Sequence, residues 1–177
     1  MENIIKASKI TAMVLIMCVA AFVIHVVQIC IIPEEIAVMN PLISGFLHQG
    51  TEHLFLNMIV LFVSMLHPIN QKSNYKSIYT ITTIISLIYL PISILDITSF
   101  AIGLSGTCYF FLTRATINWG WIGKAIILIL IISETSSLFS EDSTAHGVHL
   151  IGIILGFISL QIWGQQKSPG IPGFFGI

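Results

Sequence analysis

The sequence predicts an all-α, polytopic membrane protein built from six transmembrane helices. Of its 177 residues, 55% are apolar and only 8% are charged, and the mean hydropathy is +0.96. Soluble domains carry about 25% charged residues, so this composition excludes a water-soluble enzyme. A bilayer core about 30 Å thick takes roughly 20 apolar residues per helical span, which leaves room for six spans joined by short loops. The seven Lys and Arg are scattered and the net charge is −1, so no nucleic-acid partner is predicted.

The apolar runs mark the six spans in order. The first follows Lys6 and Lys9 and is longer than the apolar core of a signal peptide, which has about 7 to 15 residues, so we expect it to remain as a helix. The fourth and fifth runs are short, and we expect them to extend into their polar flanks or to leave the membrane thin beside them. The predicted spans cover residues 10–32, 52–66, 78–95, 105–112, 121–133 and 145–163.

Loop charges predict the orientation of these spans. When alternate connections are counted, all seven Lys and Arg fall on one side, and the loops of the other side carry only acidic residues. The basic side holds Lys6, Lys9, Lys72, Lys76, Arg114, Lys124 and Lys167, and the acidic side holds Glu34, Glu35, Glu52, Asp96, Glu134, Glu141 and Asp142. The positive-inside rule then predicts a cytoplasmic N-terminus (1–9), a six-span core (10–163) and a cytoplasmic tail (164–177). Spans two, four and six therefore begin at the outer face.

Polar side chains occupy the outer ends of these three even-numbered spans. They are His48, His53 and Asn57 at span two, Ser105 at span four, and His146 and His149 at span six. His53 and Asn57 are one helical turn apart and project from one face. A charged side chain inside a span costs about 2.5 to 3.5 kcal/mol, so polar residues there indicate function. Their common depth allows a nucleophile, an imidazole and hydrogen-bond donors to meet in one cavity.

Each of these residues also has an ordinary interpretation. Ser105 alone is typical of a helix contact or an N-cap, and a lone interfacial histidine is typical of a hydrogen-bonded structural residue. The four imidazoles of His48, His53, His146 and His149 could bind zinc, but they lie on different helices and no H-E-x-x-H string occurs. We therefore predict neither a metal nor a cofactor, and the joint pattern favours nucleophilic chemistry.

Three short motifs carry a family resemblance. They are H-x4-H-x3-N (His48, His53, Asn57), G-x-S-G (Gly103–Gly106) and H-x2-G-x3-G (His149, Gly152, Gly156). Their order and spacing across residues 40–156, with six spans and both termini inside, resemble the rhomboid family of intramembrane serine proteases. The chain departs from many members at positions 39 and 40, where Met39 and Asn40 stand in place of a Trp-Arg pair.

The resemblance implies a serine endopeptidase with a Ser/His dyad. Ser105 then corresponds to the nucleophile and His149 to its general base, in a dyad without an acidic member. His53 and Asn57 correspond to donors that stabilise the oxyanion together with the backbone N–H of Ser105. Tyr109, one turn after Ser105, corresponds to the residue whose ring stacks on the catalytic imidazole.

The resemblance also implies supporting residues, substrates and a location. Gly152 and Gly156 are expected to let span six pack close to span four, while Gly103, Gly106 and His48 complete the motifs. The expected substrates are single-span transmembrane proteins cut near the outer face, and the expected location is a multi-pass position in a bacterial inner membrane. Two alternatives stay open: a catalytically silent rhomboid-like protein that binds membrane clients, and a small transporter or channel with a histidine proton path.

Overall fold

Helices form over most of the chain. The computed structural model describes residues 1–31, 40–48, 50–95, 103–137 and 143–163, which contain no strand, so the all-α prediction is confirmed for this part of the chain. Short 3₁₀ turns precede α2, α3 and α5, at Ser44–Phe46, Pro68–Asn70 and Ile117–Trp119. The helices are α1 Glu2–Ile29, α2 Thr51–Leu66, α3 Tyr75–Leu95, α4 Ser105–Thr116, α5 Gly120–Ser137 and α6 Ser143–Trp163.

Two helical stretches are long and apolar enough to cross a membrane. They are Glu2–Gln28 and Ser105–Ser137, and Thr51–Leu66 and His146–Ile162 are shorter apolar helices. Many large apolar side chains of these helices are exposed on the outside of the protein, such as Phe22 at 60% of its surface. A soluble monomer rarely exposes contiguous apolar surface on this scale. Helix length and this apolar exterior therefore support membrane association.

The Ser105–Ser137 stretch is a helical hairpin and not a straight rod. In a straight helix Tyr109 and Glu134 would lie about 37 Å apart, yet the Tyr109 hydroxyl lies 2.6 Å from the Glu134 carboxylate. The chain reverses at Gly120, whose φ of +69° favours glycine. Gly123 closes the hairpin, because a side chain there would overlap the backbone of α4. Helices α4 and α5 therefore run side by side in opposite directions.

Several helix ends differ from the apolar runs, and two of them have a clear packing reason. Helix α1 begins at Glu2 instead of residue 10, because Ala7 is fully buried and the Lys6 ammonium donates a hydrogen bond to the backbone oxygen of Gln71. Packing and hydrogen bonding thus extend α1 beyond the apolar run that hydropathy identifies. Helix α4 continues past residue 112 to Thr116, into the polar flank as expected, because the threonines of its last turns are buried.

Helix α4 lies at the centre of the described helices. Most of its side chains are buried, and α2, α3, α5 and α6 all pack against it. Polar contacts join it to its neighbours: the Cys108 thiol donates to the Asn57 carbonyl of α2 at 3.3 Å, and the Thr107 and Thr82 hydroxyls are 2.8 Å apart across the contact with α3. The residues at the start of α4 are therefore held from several sides.

Helices α4 and α6 pack with their backbones in contact. A Cβ built on Gly152 would overlap the carbonyl oxygen of Gly106, and a Cβ on Gly156 would lie 2.7 Å from the carbonyl oxygen of Phe110. Gly106 likewise faces Val148, whose Cγ1 would lie 2.6 Å from its Cβ. These pairs advance together along both helices, so α4 and α6 run parallel. The expected close approach of the two helices at Gly152 and Gly156 is present.

Several expectations fall on residues outside the described ranges. These are position 39, the loop charges at 34, 35, 96, 141 and 142, and the tail 164–177 with Lys167. The cytoplasmic location of both termini and the domain boundaries stay predictions.

Candidate active site

A glycine turn places Ser105 at the first position of α4. Gly103 has a φ of +112°, in the left-handed region that favours glycine, and its N–H donates to the Ser44 carbonyl at 3.3 Å. The first N–H groups of a helix have no hydrogen-bond partner within that helix, so the Ser105 N–H has no partner in α4. The Ser105 side chain is buried, at 6% exposure. A hydroxyl and a backbone donor therefore coincide at the positive end of the helix dipole.

His149 faces this end of α4. Its ring stacks on Tyr109, with ring centroids 4.2 Å apart and planes 11° from parallel. Because Gly106 contacts Val148 and Gly152, Ser105 and His149 stand at the same level of the parallel α4–α6 pair. Within the described ranges no hydrogen bond joins Ser105 to His149, and the His149 Nδ1 instead lies 3.0 Å from the Glu134 Oε2. The Nε2 atom is thus the ring nitrogen left for the serine.

The polar face of α2 lies on the other side of Ser105. The His53 ring packs against Gly103, where a Cβ would lie 3.0 Å from the His53 Cε1. The Asn57 side chain is buried, and its Nδ2 donates to the His48 Nε2 at 3.1 Å. The second hydrogen of the Asn57 amide group has no partner among the described residues. His53 and Asn57 thus lie on the side of the α4 N-terminus opposite His149.

His48 supports Asn57 from the loop before α2. Its Nδ1 lies 3.0 Å from the carbonyl oxygen of Phe46 and must donate there, so its Nε2 is an acceptor for Asn57. Burial lowers the pKa of His48 to about 4, which keeps the ring neutral at neutral pH. The His48 and His53 rings are 5.3 Å apart, edge to face. A neutral His48 fixes the orientation of the Asn57 amide.

The structure places Glu134 differently from the position that the sequence predicts. Its assignment to an outer loop is wrong, because α5 continues to Ser137 and the Glu134 side chain is buried, at 6% exposure. Its Oε1 accepts from the Tyr109 hydroxyl at 2.6 Å, and its Oε2 accepts from the Nδ1 atoms of His146 at 2.6 Å and His149 at 3.0 Å. These donors replace water around the buried carboxylate.

One sequence signal could have identified Glu134. It stands two residues after an apolar run that ends at Ile132, close in predicted depth to His146 and His149, but hydropathy assigns such an acid to the adjoining loop. His146, for which the sequence offered no role, is explained by the same contact. The described residues therefore place a carboxylate beside His149, where the expected dyad had none.

The same three residues have the chemistry of metal ligands. One ligand atom from each of Glu134, His146 and His149 lies within 4.8 Å of the others. Two imidazoles and a carboxylate match a three-ligand zinc set. This set differs from the four imidazoles considered from the sequence, and the absence of a metal stays a prediction.

The arrangement can perform acyl transfer. A serine hydroxyl, an imidazole with one ring nitrogen left for it, and donors from a helix N-terminus and an asparagine are the parts that nucleophilic attack on a carbonyl requires. The structure brings together at this end of α4 nine of the ten predicted residues, and the tenth, Gly156, packs further along α4 against Phe110 and Thr113. The nine are Ser105, His149, His53, Asn57, Tyr109, His48, Gly103, Gly106 and Gly152. Comparison with known proteins gives no match to a family model, to a curated protein or to a solved structure.

Proposed function

We propose that this chain is an intramembrane serine endopeptidase of the rhomboid type, with six transmembrane helices and both termini in the cytoplasm of a bacterial cell, in the inner membrane. The observation that carries the proposal is the His149 ring, stacked on Tyr109 at the level of Ser105. A structural serine at a helix contact needs no oriented imidazole beside it. The hydrogen-bonded pair of His48 and Asn57 across the site adds a donor where charge would develop.

The proposed reaction is hydrolysis of a peptide bond in two steps. The Ser105 Oγ attacks the carbonyl carbon while the His149 Nε2 takes the hydroxyl proton. The oxyanion is held by the Ser105 N–H with Asn57 and His53. His149 then returns the proton to the leaving amine, which leaves an acyl ester on Ser105. Water then loses a proton to His149 and attacks the ester carbonyl. His149 gives this proton to the Ser105 oxygen as the carboxylic acid product leaves, which restores the serine and the neutral imidazole.

The proposed substrates are single-span transmembrane proteins, cut near the outer face. The site lies at one end of α4, at the depth where a water-filled cavity can open to the outside. A substrate helix bonds its own carbonyls internally, so it must unwind before Ser105 can reach one. Substrates with glycine, proline or polar residues near the cut are therefore expected, since these residues weaken a helix.

A serine-directed fluorophosphonate should label the purified, detergent-solubilised protein at one site. The reagent phosphonylates a serine only where a base activates it, so Ser105→Ala should lose the label. Ser64→Ala is the matched control, because Ser64 is also buried but lies at the far end of α2, and it should label like the wild type. Mass spectrometry of the labelled peptide measures the outcome. A folded wild-type protein without label would favour the silent client-binding alternative.

Asn57→Ala should leave residual activity. Removing one oxyanion donor costs about 10² to 10³ in rate, and here other donors remain. Because the oxyanion exists only after attack, the loss should fall on kcat and leave KM unchanged. Asn118→Ala is the control: this exposed amide donates to the Arg114 carbonyl at 2.7 Å, away from the site. Steady-state cleavage of a model transmembrane substrate gives both constants. Equal kcat for Asn57→Ala and wild type would show that Asn57 is not a donor to the oxyanion.

A further inference from the structure

The contacts of Glu134 go beyond what a buried structural acid needs. A buried carboxylate is costly unless donors surround it. The described residues give Glu134 three donors, from Tyr109, His146 and His149. The donors divide by oxygen: Oε1 takes the Tyr109 hydroxyl, and Oε2 takes both imidazoles. Two of these donors are the residues that stack on each other beside Ser105. One carboxylate therefore contacts both members of the stack.

The contact at the His149 Nδ1 determines where the imidazole proton lies. An ionised carboxylate only accepts hydrogen bonds, so a ring nitrogen 3.0 Å from Oε2 must carry its hydrogen. A neutral imidazole has a single N–H, so Nε2 holds a lone pair. This is the tautomer in which Nε2 can take the Ser105 proton. When it does, the imidazolium is stabilised by the adjacent negative carboxylate.

The hydrogen bond between Glu134 and Tyr109 helps to hold the His149 ring by its flat face. Tyr109 donates to Oε1 at 2.6 Å, and its ring lies flat against His149 at 4.2 Å. The Glu134 carboxylate thus holds the edge of the imidazole directly and its face through Tyr109. Glu134 stands behind His149, bonded to the nitrogen that does not serve Ser105.

We propose that Glu134 is a positioning residue of this site, which holds His149 in its Nδ1-protonated tautomer and in register with Ser105, so that the site works as a Ser105–His149–Glu134 triad. The proposal rests on the proposed protease function. It replaces the expected dyad without an acid by a dyad supported by a carboxylate from α5.

Glu134→Gln tests the tautomer. A glutamine has one acceptor and one donor group in place of two acceptor oxygens, so it cannot accept from both Tyr109 and His149. With its NH₂ toward His149, the ring proton must move to Nε2, which can then no longer accept from Ser105. With its oxygen toward His149 and its NH₂ toward the Tyr109 hydroxyl, the tautomer is kept, but the negative charge that stabilises the imidazolium is lost. We expect kcat to fall by about 10² to 10⁴, as for removal of the acid in other serine triads, with KM unchanged. Glu134→Asp keeps the carboxylate on a shorter stem and should recover part of kcat.

The controls separate this proposal from the protease proposal. Glu2→Gln makes the same change at an exposed position at the start of α1 and should leave kcat unchanged. If wild type takes the fluorophosphonate label and Glu134→Gln cleaves at the wild-type rate, the positioning role is wrong and the protease proposal stands. If the folded wild type takes no label, the protease proposal itself is wrong.

A spectroscopic measurement covers the case in which Glu134→Gln does not fold. In wild-type protein with ¹⁵N-labelled histidine, the His149 Nδ1 should carry a proton in a strong hydrogen bond, seen as a low-field resonance that His149→Ala removes. An unprotonated His149 Nδ1 in the resting protein would overturn the proposal. So would stoichiometric zinc whose removal by a chelator abolishes cleavage, because Glu134 and His149 would then be metal ligands.

Discussion

Ser105→Ala and His149→Ala are each expected to abolish measurable cleavage of a transmembrane substrate, and the double variant is expected to be no worse than either one. In the proposed mechanism the serine and the imidazole act in one proton transfer, so losing either loses the whole step. In serine proteases a single such loss costs about 10⁶ in kcat, and further losses add little. Two unrelated structural residues would instead give losses that multiply. The measurement is kcat for the two single variants and the double variant, each with thermal unfolding as a check of folding.

His67→Ala should keep full kcat, because His67 accepts from the Ile69 N–H at the far end of α2 and is remote from Ser105. Normal turnover by Ser105→Ala would end the nucleophile assignment. Normal turnover by His149→Ala with loss in His146→Ala would move the base by one helical turn.

Gly152→Ser is expected to destabilise the protein and to abolish its activity. A side chain at 152 overlaps the Gly106 carbonyl oxygen, and a backbone atom cannot rotate away as a side chain does. Helix α6 must therefore move off α4, which separates His149 from Ser105. Overpacking of this kind costs about 1 to 3 kcal/mol and occasionally more. Unfolding in detergent and cleavage of the model substrate measure the two effects.

Gly50→Ser is the matched control for the packing experiment. No atom of the described residues lies within 4 Å of a Cβ built on Gly50. Serine is also a favoured N-cap residue, and the N-cap is the position that Gly50 holds before α2. The same chemical change should therefore cost no stability there. Gly152→Ser with wild-type stability and activity would show that α6 does not need the close approach at Gly152.

The sequence by itself determined what depends on local spacing. Apolar runs longer than a few turns can satisfy their backbone only as helices in an apolar environment, so the helices were predictable even where their ends were not. Residues one turn apart share a face, so Tyr109 could be assigned beside Ser105, and His53 beside Asn57, from numbering alone. Gly152 and Gly156 share a face of α6 for the same reason, and the family resemblance implied that this face packs closely.

Only the tertiary structure decided which distant residues meet. Glu134 resembled a solvated loop acid, because hydropathy registers its charge and not the partners that allow its burial. The reversal at Gly120 brings it back beside Tyr109, and the parallel packing of α4 and α6 brings His149 to the same point. A buried carboxylate is stable only where donors from other helices surround it. Its place in the site therefore depended on contacts between helices, which the order of residues along one helix does not encode.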